Sequence, residues 1–129
     1  MKFVTYSKGF ERRIGVVSDG TLVDLNRAYY AMLIDRGEAR PGARAQSLVP
    51  PDMIGFLDGG DTSLAAAKEA VAFVNERAAS AADELRQANV IHDVQQVRLC
   101  APVPRPRKFL LLGLNYRAHA AEAGRQEPD

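Results

Sequence analysis

Three short runs near the N-terminus constrain the fold more than anything else in the chain. KFVTY (2–6), RRIGVV (12–17) and TLVDL (21–25) each alternate in strand fashion, and Ser18-Asp19-Gly20 separates the last two. Asp-Gly supplies the positive φ that a tight hairpin turn needs, so the reading is three short antiparallel strands. A sheet with one apolar face must be covered. From Asn26 the pattern becomes helical: Tyr29, Met32 and Leu33 recur on one side, with Asn26 as the expected N-cap and Gly37 as the stop. That helix is expected to pack on the sheet, which makes the fold class α+β: a small antiparallel sheet packed with helices.

The next signals are mixed. EARPGARAQ (38–46) reads as a polar loop punctuated by proline and glycine, after which Pro50 and Pro51 lead into one or two turns around DMIGFL. Thr62 is expected to open the clearest helix, with Leu64, Ala67, Val71, Val74 and Ala78 on a core-facing stripe. DGGDTS before it reads as a turn plus N-cap, since it matches neither the dinucleotide fingerprint nor the P-loop. Whether helix runs on through AASAADELRQ is open. VIHDVQQVRL (90–99) regains β-type residues and reads as one strand, with His92 solvated.

With 129 residues, 47% of them apolar and 26% charged, the chain is long enough for a real core. A net charge of +1 gives no field to draw it to nucleic acid or to an anionic membrane. No apolar run approaches the roughly 20 residues of a membrane helix, and the N-terminus lacks a signal-peptide core. The lone Cys100 cannot form an internal disulfide and is expected to be a buried structural thiol. The expected location is cytoplasmic.

From Ala101 the composition changes. Pro102, Pro104 and Pro106 at alternate positions favour an extended rod, read here as a linker, without the two-residue proline spacing of the usual proline-module ligand. Phe109 to Leu112, with Leu114, form an apolar run apt for a strand covered on both faces. The expected organisation is therefore a domain over 1–100, and over 101–129 a linker, first strand and lid segment of an incomplete, β-rich catalytic domain. An unpaired strand there would be an aggregation hazard. Arg105, Arg107, Lys108 and Arg117 crowd this region, to attract an anionic substrate or to solvate a hinge; composition does not separate the two.

GLNYRAHAAEAG (113–124) carries the chemistry. If Asn115 caps a helix that Gly124 ends, His119 and Glu122 share a face at i and i+3. A carboxylate holding one ring nitrogen fixes the imidazole tautomer and stabilises the imidazolium, so the pair suits a general base. The plain alternative is a surface helix that happens to carry both residues. A metal site is disfavoured, because three or four ligands are needed and His92 is the other histidine. A helix of about eight residues is marginal alone, which suggests a lid over 115–129, loose when empty and helical when substrate closes the site.

APVPRPRKFLLLGLNYRAHAAEAG resembles the entry to the catalytic domain of the fumarylacetoacetate hydrolase family, where a proline-rich P-x-P-x-P-x-K, an apolar strand and G-x-N-Y-x-x-H-x-x-E-x-G follow in order. The resemblance covers about residues 101 to 128; the hairpin and VPPDMIGFLDGG are also similar, more loosely, to the small N-terminal domain of bacterial members. It implies a homodimeric, Mg²⁺- or Mn²⁺-dependent enzyme, a hydrolase, decarboxylase, hydratase or isomerase of 1,3-dicarbonyl or 2-oxo/2-enol carboxylic acids, often in aromatic catabolism. By motif position, His119 is then the water-activating base and Glu122 its partner, Gly113, Asn115 and Tyr116 shape the turn, and Asn115, Tyr116 and Arg117 meet substrate. The family's Glu-x-Glu metal ligands have no counterpart in these 129 residues, so the ligands are expected beyond residue 129 and the piece alone is expected to be inactive. The reading from another class is a non-catalytic α+β interaction or dimerisation module that retains the motif.

Overall fold

Strand β1 (Lys2–Lys8), β2 (Glu11–Ser18) and β3 (Thr21–Asp24) form the expected antiparallel hairpins. The computed structural model describes residues 1–111 and Gly124. The β2–β3 turn is the two-residue kind: Asp19 and Gly20 both have positive φ, 48° and 77°, which matches the twist of the flanking strands. Helix α1 (Leu25–Asp35) follows at once and buries Tyr29, Met32 and Leu33 as expected. Its cap is Asp24 rather than Asn26, because the Asp24 carboxylate accepts the Arg27 backbone N–H. Asn26 instead donates from Nδ2 to the Val49 carbonyl at 2.7 Å. The stop at Gly37 is as expected, with Gly37 N–H bonded to Ile34 O and Glu38 N–H to Leu33 O.

The expected loop over 38–46 is a helix in its greater part, α2 (Pro41–Leu48). Proline stands at its first position, where no intrahelical donor is lost, so the residue read as a breaker is a starter. Helix α3 (Met53–Asp58), capped by Asp52, is the short helix expected around DMIGFL. Helix α4 (Gly60–Gln87) begins before Thr62 and runs through AASAADELRQ with a kink at Ala81. Its buried stripe is Ser63, Ala66, Ala67, Ala70 and Val74, so Ala67 and Val74 are shared with the expected stripe while Leu64, Val71 and Ala78 flank it. Small residues there let α1 and α4 pack closely.

The segment read as one strand over 90–99 is two. Strand β4 (Ile91–Asp93) pairs with β3, and β5 (Arg98–Cys100) pairs with β1, giving the order β4-β3-β2-β1-β5. Consecutive strands therefore lie on opposite edges. In a flat sheet those edges would stand about 19 Å apart, and the five residue steps from Asp93 to Arg98 reach at most about 18 Å with no allowance for offset along the strands. The sheet must coil. Gly15 is where β2 and β3 approach too closely for a side chain: a Cβ there would lie 2.7 Å from the Val23 carbonyl oxygen and 3.0 Å from Leu22.

Coiling gives the sheet two interiors. Residues directly opposite in register share a face, so Phe3, Ile14, Val16, Val23 and Ile91 look toward the helices and join their core. Tyr6, Leu22, Asp24 and His92 belong to the other face and are buried inside the curl, with Tyr6 and Leu22 outside the main apolar cluster. Cys100, expected to be buried, is half-exposed on the edge strand. Phe109, Leu110 and Leu111, expected to open a strand, belong to none and are 76%, 92% and 79% exposed. Among the described residues no helix is long and apolar enough to cross a membrane.

Candidate functional site

Asn115, Tyr116, Arg117, His119 and Glu122, with Gly113, lie outside the described residues, as does the proposed lid helix. What the structure describes is the path toward them. Residues 101–107 form a strap that bends at 102–105 and at 107 instead of the extended rod expected of the alternating prolines, and the strap is docked rather than free. Thr5 Oγ1 donates to the Pro102 carbonyl at 2.6 Å, Val103 packs against the core, and Arg107 Nη2 lies 3.3 Å from the Asp58 carboxylate. The strap covers the hairpin end of the helix-facing sheet surface, where Thr5 and Ile14 would otherwise face water.

A cluster of ionisable side chains fills the inside of the coiled sheet. Asp24 is fully buried and accepts from Tyr6 Oη at 2.5 Å, from Arg13 Nε at 2.5 Å, from Arg13 Nη2 at 3.1 Å and from the Arg27 backbone N–H at 2.8 Å. Arg13 also donates to Asn26 Oδ1 at 3.1 Å. Burial, then the adjacent Asp24 charge, push the Tyr6 phenol well above its ordinary range, so it stays a donor. Burial alone would lower the Arg13 guanidinium, but the hydrogen bonds and charge of Asp24 outweigh it and raise it. Every lone-pair direction of Asp24 is thus taken up. The carboxylate ties β1, β2 and the start of α1 together and has no acceptor capacity left for proton transfer.

His92, read from sequence as solvated, is 6% exposed. Lys8 Nζ lies 3.3 Å from His92 Nδ1 and 3.0 Å from Asn89 Oδ1. An ammonium only donates, so in this contact Nδ1 is the acceptor. The ring's Nε2 is buried without a hydrogen-bond partner among the described residues. Burial first, and then the Lys8 charge, lower the imidazole below its ordinary value, holding it neutral. The Tyr6 and His92 rings, from strands separated by two others, are 5.7 Å apart across the curl. Alternation in I-H-D is the one local signal that would have put His92 on the same face as Leu22; which face was interior could not be read from it.

Among the described residues no three of His, Cys, Asp and Glu are grouped so as to hold a metal ion. The Mg²⁺ or Mn²⁺ implied by the resemblance has no ligand set among the described residues. Comparison with protein-family models, curated proteins and solved structures finds no match for this chain.

Proposed function

We propose that the chain is the N-terminal part of an enzyme of the fumarylacetoacetate hydrolase family, which hydrolyses, isomerises or decarboxylates 1,3-dicarbonyl or 2-oxo/2-enol carboxylic acids. The observation that carries this is the ordered run of P-x-P-x-P-x-K, four apolar residues and G-x-N-Y-x-x-H-x-x-E-x-G across 102–124. The α+β body with a docked strap leading into Phe109 accords with it, as a small domain delivering the chain to a second one.

In this reading His119 takes a proton from water and Glu122 holds the other ring nitrogen, so that the imidazole keeps the right tautomer and its charged form is stabilised. Asn115, Tyr116 and Arg117 meet the substrate, the Arg117 guanidinium donating to the substrate's carboxylate. The divalent ion's ligands come from elsewhere in the protein, which acts as a homodimer in the cytoplasm. The test uses the full-length polypeptide and follows Mg²⁺-dependent loss of absorbance from an acylpyruvate or fumarylacetoacetate. His119→Ala is expected to lower kcat by about 10² to 10⁴ with the fold intact. Full activity in that variant removes the base. Absence of turnover by the unmodified protein with every substrate of the class would favour the interaction-module reading instead.

A further inference from the structure

The strap does not lie flush on the domain. Between it, the β1–β2 hairpin and the entry to α3 at residues 51–54 is an open cleft of about 350 Å³. Ile14 and Met53, both members of the core, together with Ile54 and the rings of Pro51 and Pro104 give it an apolar lining. Two guanidiniums, Arg12 from β2 and Arg105 from the strap, also line it, and neither has a carboxylate partner among the described residues. The one acidic lining residue, Asp52, is engaged in capping α3 through the Gly55 N–H.

An apolar floor with a net positive rim selects for a particular ligand chemistry. A purely apolar molecule would leave the guanidiniums unused, and a small inorganic anion would leave the floor wet. We propose that this cleft binds a small apolar carboxylate, of the size of a substituted benzoate or a short branched fatty acid, with its body on Ile54 and the rings of Pro51 and Pro104, backed by the buried Ile14 and Met53, and its carboxylate between Arg12 and Arg105. Volume and lining fit: small-molecule sites are mostly apolar clefts of about 300 to 1,000 Å³ with a few placed polar groups, and guanidinium forks match carboxylates geometrically. Because Arg105 and Pro104 belong to the strap while the floor belongs to the domain, the ligand bridges the two. Occupancy therefore tightens the strap onto the sheet and restrains the segment that begins at Phe109. This site stands on residues 5–105 and does not depend on the function proposed above.

The test is titration of the 129-residue chain with sodium benzoate, followed by amide shifts in two-dimensional NMR, with benzyl alcohol and inorganic phosphate as separate arms. Saturable benzoate shifts at Ile14, Ile54 and Arg105 are expected, with at most weak effects of alcohol or phosphate. Arg12→Met and Arg105→Met should each weaken benzoate binding by about tenfold, since one charge-assisted contact at a partly wet site is worth about 1.4 kcal/mol. Both side chains are exposed, so neither change should disturb the fold. Saturating benzoate should also slow tryptic cleavage at Arg107 and Lys108. The proposal is overturned by equal binding of benzyl alcohol, which would mean a merely greasy surface, by equal binding of phosphate, or by benzoate binding that the double Arg variant retains. It is overturned too if benzoate binds only after Phe109 and Leu110 are changed to serine, because the chain's own apolar segment would then be the occupant.

Discussion

Asp24 shows how much one side chain can fix. Its own carboxylate fully buried, it caps α1, holds the Tyr6 phenol and neutralises Arg13. Removing one member of such a set leaves the others charged or unpaired. Asp24→Ala is therefore expected to cost about 3 to 5 kcal/mol in urea denaturation, whereas Tyr6→Phe, which deletes one donor, costs about 1 to 2 kcal/mol. A loss below 1 kcal/mol for Asp24→Ala would mean the cluster is far wetter than its burial indicates. His92 gives a pH signature of known sign. The folded chain holds it neutral, among Lys8, Arg27 and Asp24, so the unfolded chain binds the proton more readily. Its contribution to stability is full above the unfolded value of about 6.5 and falls as pH drops below that toward the depressed folded value. His92→Gln, which cannot titrate, should lose less stability than the parent between pH 7.5 and pH 5.5. Identical losses would show that the imidazole is not the group responsible.

At the scale of elements, local chemistry decides each piece and neighbours decide where it goes. The hairpin turn at Asp19-Gly20, the apolar stripe of α1 and the existence of α4 were all legible, because positive φ and helical period are properties of a few adjacent residues. Helix α2 was not, since the same Pro41 that would break a helix interior is favourable at its first turn, and only the frame of the helix distinguishes the two. The strap makes a separate prediction. Thr5→Val removes the donor to Pro102 and Val103→Asp removes the apolar anchor, so the double variant should be cut by trypsin at Arg107 and Lys108 faster than the parent while its melting of helix, followed by circular dichroism, stays within a few degrees. An unchanged cleavage rate would show that the strap is held by something other than these two contacts. Gly15→Ala tests the close approach of β2 and β3: its methyl would meet a backbone oxygen that has little room to shift, and about 1 to 3 kcal/mol of destabilisation is expected.

For the molecule as a whole, the coil of the sheet is the governing fact. It brings β1 and β4 together, buries His92, and sends the chain from one edge to the other so that it leaves along the strap. The chain then presents Phe109, Leu110 and Leu111 to water, which a stable surface rarely does in series. The isolated 129-residue chain should self-associate in sedimentation velocity as concentration rises, and replacing those three residues by serine should abolish the association. A parent that stays monomeric at high concentration would mean the run is covered within the chain itself. Sequence alone determined the α+β class, the first three strands, three of the four helices and the motif that carries the functional proposal, because each depends on spacing within a few turns or one hairpin. Tertiary structure alone decided that 90–100 splits between two sheet edges, that the second histidine is interior and that the proline run is held down. Those outcomes rest on contacts such as Lys8 with His92 and Thr5 with Pro102, 84 and 97 residues apart, whose closure no local pattern encodes.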